Sequence, residues 1–153
     1  SRRQRQMCIR DSFTSTSWYR EPAVGTSVTL TPGLTDSDTS GFPMEEITAM
    51  VSGGPRLVEN GAICTTLEPG FQEARFTSAV TSRTALGKLA DGKLVIVSTG
   101  SASIQQLREL MLQLGCVEAV NLDGGGSTAL AYQGKLIRSP GRELTTTLQI
   151  FTH

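Results

Sequence analysis

An aspartate followed by three glycines and two hydroxyl residues, Asp123 to Thr128 in NLDGGGST, is the segment of this sequence best suited to chemistry. Successive glycines let consecutive N–H groups converge on an anion and let a ligand approach the main chain closely. Ser127 and Thr128 add hydroxyl donors, and Asp123, at the end of an apolar run, would project a carboxylate into the same concavity. Beside amide donors this carboxylate is expected as a nucleophile, base or ligand rather than as a proton donor. Other glycine-rich motifs fail on spacing. There is no GxxxxGKS/T, no GxGxxG, and Ser127 does not stand in GxSxG. A tight turn carrying a bulge is the plain structural alternative.

The rest of the chemical inventory is narrow. The only histidine, His153, is the last residue, so neither a Ser-His-Asp nor a Cys-His mechanism can be built from this chain. Cys64 and Cys116 have no CxxC spacing, which argues against a thiolate metal site and leaves them as a pair or as two small buried apolar residues. A divalent ion beside Asp123 would need a second carboxylate at ligand spacing, and none is present, so no metal and no cofactor is assigned. Acidic and basic residues balance at 14 each and aromatics are 5%, which excludes the charge field and stacking platforms of nucleic-acid binders. No apolar run is long enough to span a bilayer, and no signal-peptide core is present.

At 153 residues the chain is long enough for one domain with a core. Its opening, SRRQRQMCIRDS, resembles the translation of a sequencing adapter. Residues 1–12 are therefore read as an assembly scar outside the fold, and 13–153 as one partial domain whose N-terminal part is missing. Strands are expected at Ala23–Leu30, on either side of the glycine-rich turn before Asn60-Gly61, and in a hairpin turning at Asp91-Gly92. A loop is expected at Thr31–Pro43, and Asp91 is read as a turn residue rather than a catalytic one. In SASIQQLRELMLQLG, residues Ile104, Leu107, Leu110, Met111 and Leu114 share one face. Ser103 with Gln106 matches a capping box and Gly115 a C-terminal stop, so 103–115 is an amphipathic helix. A strand in CVEAVNL, a hairpin turning at Gln133-Gly134 and a closing strand in TTTLQIF complete an α+β, mostly β, mixed sheet with that helix packed on it.

Taken together, NLDGGGST, SRTALGKLADGKLVIVS, SGGPRLVENG, LRELMLQLGCVEAVNLDGGGST and GRELTTTLQI resemble the phosphodiester glycosidase family from about Gly25 to Phe151. The resemblance implies a hydrolase that cleaves a sugar-1-phosphodiester, of the N-acetylglucosamine-1-phosphodiester kind, at the anomeric centre. It implies Asp123 and Arg83 as catalytic residues, with Gly124, Gly125, Gly126, Ser127, Arg142, Asn60 and Gly54 binding substrate. A guanidinium fork suits a phosphoryl group better than a lysine does, which makes Arg83 the expected phosphate ligand opposite Asp123. A bacterial enzyme acting outside the cytoplasm on envelope or exopolysaccharide material would fit.

The chain departs from the family pattern at VSTGSAS, where Ser98-Thr99 replaces an expected aspartate, and in lacking the family's N-terminal Asn-Gly-rich segment. The truncated chain could therefore be inactive by itself. A non-catalytic carbohydrate- or phosphate-binding domain is the alternative, and a purely structural β-domain the third reading.

Overall fold

The computed structural model describes residues 23–27 and 49–151. The chain divides into two units, Ser1–Thr48 and Ala49–His153. In the first unit, the Thr26 amide donates to the Ala23 carbonyl at 3.0 Å and Gly25 has φ 93°. The first residues of the expected Ala23–Leu30 strand therefore form a turn, because a positive φ breaks the extended run. Residues 28–30, the 1–12 scar and the 31–43 loop lie outside the described residues.

The second unit carries the fold. Its elements are β1 (Arg56–Glu59), β2 (Ala62–Ile63), a short α1 (Ala74–Thr77), β3 (Thr81–Leu89), β4 (Leu94–Ala102), α2 (Ile104–Gln113), β5 (Cys116–Asn121), β6 (Leu130–Tyr132) and β7 (Lys135–Arg138). Five strands form one sheet in the order β2-β1-β5-β3-β4, and β6 pairs with β7. The α+β, mostly β, reading holds, with every strand pair among the described residues antiparallel rather than mixed.

Local chemistry explains the turns. Asn60 and Gly61, and likewise Gln133 and Gly134, take positive φ in succession, the twist that a two-residue hairpin loop requires. At the β3–β4 turn, Asp91 accepts from the Lys93 amide at 3.1 Å and from its ammonium at 2.6 Å. The Lys93 side chain, then its amide, lower the Asp91 pKa. Asp91 is a turn residue, as read.

The helix begins where its capping box lies. The Ser103 hydroxyl accepts from the Gln106 amide at 3.1 Å, and the Gln106 side chain accepts from the Ser103 amide at 2.9 Å. Ile104, Leu107 and Met111 of α2 then pack with Leu57, Val58, Ala85, Cys116 and Ala119 of the sheet to form the core. Cys64 and Cys116 do not pair, and burial pushes both thiols up. Arg108 is buried on the same helix because its guanidinium donates to the Thr66 carbonyl at 2.9 Å.

Two features of β3 position the site. Arg83, Ala85 and Gly87 are its buried positions, so they share the face covered by α2. Ser82, Thr84 and Leu86 take the opposite face, where Thr84 stands across from Ser98 of β4. The closing segment TTTLQIF forms no strand. Leu148, Ile150 and Phe151 are exposed, and among the described residues no sheet edge pairs with them. Strand propensity without a partner edge does not make a strand.

Candidate functional site

After Asn121, the Leu122 amide still bonds to the Thr84 carbonyl of β3 at 2.8 Å, and the chain then leaves the sheet at Asp123. Gly124 is extended and lies so close to β3 that a Cβ there would stand 2.6 Å from the Ser82 carbonyl oxygen. Gly125, at φ 58°, needs the left-handed conformation. It opens a 3-10 turn, Gly125–Ser127, closed by Ser127 N–H to Gly124 O and Thr128 N–H to Gly125 O, each at 3.1 Å. Gly124 and Gly125 are thus required for different reasons, close approach and backbone conformation, while a side chain at Gly126 would meet open space.

The same geometry says which amides are available. Gly124 N–H donates to Asp123 Oδ1 at 2.9 Å, while those of Ser127 and Thr128 close the turn. The N–H groups of Gly125 and Gly126 donate to nothing among the described residues. The expected anion nest is therefore a pair of adjacent amides. Replacing Gly124 by alanine forces the loop off β3, because a main-chain oxygen inside a paired strand cannot yield as a flexible side chain would. The expected cost is about 1–3 kcal/mol, read as a lower denaturation midpoint together with weaker phosphate binding.

Arg142 joins the loop from the segment after β7. Its Nη2 donates to Asp123 Oδ2 at 3.0 Å, its Nε to Ser127 Oγ at 2.7 Å, and Nη2 also reaches Ser127 Oγ. The neighbouring Gly141 amide bonds to the Gly126 carbonyl at 2.8 Å and holds this segment against the glycines. The Asp123 and Arg142 side chains are 74% and 60% exposed. A pair that open to water contributes about 0–1 kcal/mol, so an incoming anion can displace it.

Asp123, Gly124, Gly125, Gly126, Ser127 and Arg142 are brought together. Arg83 is not brought to Asp123 through its side chain. Its main chain lies under Gly124, with Cα 3.7 Å from the position a Gly124 Cβ would occupy. Its guanidinium turns to the α2 face, 3% exposed, and donates to the carbonyls of Ala102 at 3.2 Å, Arg75 at 2.6 Å and Ala79 at 2.9 Å. Desolvation lowers its pKa. The expected direct fork from Arg83 to a phosphoryl group is thus replaced by a fork to main-chain oxygens, two of them at the end of α1, where a short helix leaves carbonyls unpaired.

Asn60 sits in the β1–β2 turn with its amide on Glu118 Oε1 at 3.0 Å. Its neighbour Gly61 bonds to Val117, six residues before Asp123 along β5, which puts this turn about 20 Å away at the far end of the strand. Gly54 is close to the site in the chain path but serves packing. Its main chain pairs with Asn121, and a Cβ on it would meet the Phe71 ring.

The residue that sequence reasoning missed is Arg138, the last residue of β7. Its Nη2 donates to Ser82 Oγ at 2.8 Å, and that hydroxyl donates to the Gly100 carbonyl at 3.0 Å. The available signal was an arginine on each side of Ser139-Pro140-Gly141, a turn directly after a predicted hairpin. Among the described residues, no cluster of three His, Cys, Asp or Glu side chains could hold a metal ion.

A profile of the phosphodiester glycosidase family matches residues 10–151. N-acetylglucosamine-1-phosphodiester alpha-N-acetylglucosaminidase of Bos taurus is 29% identical over 106 residues, covering 60% of this chain and 20% of that protein. The Homo sapiens protein of the same name is 28% identical over 106 residues, covering 60% and 21%. Among solved structures, the zebrafish catalytic domain of that name, auto-inhibited by its pro-peptide, superposes with TM-score 0.47 at 26% identity over 59% of this chain and 34% of that one. The chain spans about a fifth of the length of the mammalian proteins it matches.

Proposed function

Because the chain belongs to the phosphodiester glycosidase family, we propose that its Asp123 loop is the place where a sugar-1-phosphodiester, of the N-acetylglucosamine-1-phosphodiester class, is hydrolysed at the anomeric centre. The observation that carries this reading is one hydrogen-bonded group, Asp123, Ser127 and Arg142, on a loop whose Gly125 and Gly126 amides are unengaged among the described residues. One short loop thus offers both a carboxylate and amide donors, which is what a phosphodiester joined to a sugar requires.

The leaving group is a phosphate monoester with a second pKa of about 6, so it departs without the strong general acid that an alkoxide needs. In this reading the phosphoryl oxygens take the amides of Gly125 and Gly126 and compete with Asp123 for Arg142. Asp123 Oδ2, released from that pair, turns to the sugar side, while Oδ1 stays on the Gly124 amide. The buried positive charge of Arg83 under the loop adds favourable field without touching the substrate. Envelope or exopolysaccharide material of a bacterium is the proposed source of substrate, which places the activity outside the cytoplasm. No helix among the described residues is long and apolar enough to cross a membrane.

The test is release of N-acetylglucosamine from an α-N-acetylglucosamine-1-phosphodiester by the protein at its full genetic length. Release that saturates with substrate is expected. Binding of the diester without release would make this a non-catalytic recognition domain, and no binding at all would reduce the glycines to a turn.

A further inference from the structure

We propose that Arg138, rather than Arg83 or Arg142, is the principal guanidinium for the phosphoryl group at this loop. The identity of the ligand rests on the hydrolase reading above, but the anion-binding role does not.

The argument is one of charge and free donors. Three guanidiniums stand near Gly124–Gly126. Arg142 is already compensated by Asp123 and shares its donors with Ser127. Arg83 is engaged with three carbonyls on the other face of the sheet. Arg138 makes no ion pair among the described residues, and its one protein hydrogen bond there is to the neutral hydroxyl of Ser82. Among the described residues its charge is therefore uncompensated, and its Nη1 and Nε make no hydrogen bond there. Neither atom is among the buried unpartnered ones, so neither is sealed from solvent.

The surroundings hold this side chain in place. The Ser82 hydroxyl is fixed by donating to the Gly100 carbonyl, which leaves its lone pairs for Nη2 of Arg138. Nη1 lies 3.6 Å from where a Gly100 Cβ would be, so the absent side chain leaves space beside the fork. The Ser82 carbonyl is the atom against which Gly124 packs, which joins Arg138 to the loop through a single residue. The guanidinium keeps N–H donors beyond the one on Ser82, and a phosphoryl oxygen can take them in charge-assisted hydrogen bonds.

The experiment is calorimetric titration of the full chain with inorganic phosphate, alongside sugar release. R138Q is expected to weaken phosphate binding roughly 10- to 100-fold, the loss of a charge-assisted pair. S82A leaves the charge but frees its stem, and is expected to raise KM for the diester with kcat little changed. R138K keeps the charge without the fork, and is expected to recover part of the phosphate affinity; this variant also covers the case in which R138Q fails to fold. Phosphate affinity within twofold of the parent in a folded R138Q or in R138K overturns the inference, as does a parent chain that binds no phosphate. Should phosphate affinity track Arg138 while no sugar is released, the hydrolase reading fails and the inference stands. Should sugar release persist in R138Q with unchanged KM, the inference fails and the hydrolase reading stands.

Discussion

Asp123→Asn is expected to lower kcat for sugar release roughly 10²- to 10⁴-fold while KM stays level or falls. Asparagine keeps an oxygen for the Gly124 amide, so the 3-10 turn and its two free N–H groups persist. What disappears is the negative charge that serves the anomeric carbon, whether as nucleophile, base or sugar ligand. The same change removes the partner of Arg142, whose guanidinium then binds the phosphoryl group without competition. The variant should therefore bind inorganic phosphate more tightly than the parent does. Loss of turnover with gain of anion affinity is a signature that general unfolding cannot imitate. Because the broken pair is solvent-exposed, its loss costs at most about 1 kcal/mol, and the denaturation midpoint should hardly move. Steady-state kinetics and phosphate titration on one preparation check both halves. A variant with full turnover would remove Asp123 from the chemistry.

The resting loop explains why a weak pair suits this place. Asp123 and Arg142 satisfy one another in water, and in the proposed hydrolase that pair holds the carboxylate on the phosphoryl side until an anion arrives. A buried bridge would be far more costly to break. The pair is weak because it is open, and being open it can exchange partners, as the proposed mechanism requires.

How much of this was legible in the sequence depends on how local the cause is. Asn60-Gly61, Asp91-Gly92 and Gln133-Gly134 turn where expected, since a positive φ or a short side-chain bond is decided within a few residues. The α2 cap and the Ile104, Leu107 and Met111 part of its stripe were readable for the same reason, whereas Leu114, expected on that face, is exposed at the helix end. The Asp123 loop was readable because its glycines are consecutive, although the free amides number two rather than three. Arg142 joins the loop as expected, but the placement of Arg83 and Arg138 was not legible. Arg83 is clamped by carbonyls of residues 75, 79 and 102, the last across the β3–β4 pair, and Arg138 reaches Ser82 from 56 residues away. Arg108 is buried where a loop carbonyl 42 residues earlier comes to meet it. Lone arginines share one look in sequence, and only the chain path tells a ligand from a structural clamp. Strand propensity in TTTLQIF failed in a related way, since pairing is a property of two segments.

Arg83→Met separates the two roles an arginine can play here. Methionine fills much of the volume but donates nothing, so the carbonyls of Arg75, Ala79 and Ala102 lose their partner together. Hydrogen bonds from a charged donor are each worth about 1.5–3 kcal/mol. Relief from holding a cation in a site 3% exposed offsets part of that loss. The carbonyl of Arg75 lies in an exposed residue and that of Ala79 in a half-buried one, so both can recover water. The balance favours destabilisation by about 2–4 kcal/mol, against a few tenths for a surface arginine. Loosening should begin where the clamp acts, at α1 and the end of β4, and hydrogen exchange of Ser78 and Ala79 should speed up before that of the β3–β5 ladder. Phosphate affinity in the folded variant should change only a few-fold, because the lost donors face away from Gly125 and Gly126 and contribute through field alone. Lysine at the same position keeps the charge but not the planar fork, and should recover only part of the stability. A stable Arg83→Met protein that no longer binds phosphate would reverse the assignment and return Arg83 to the phosphoryl group.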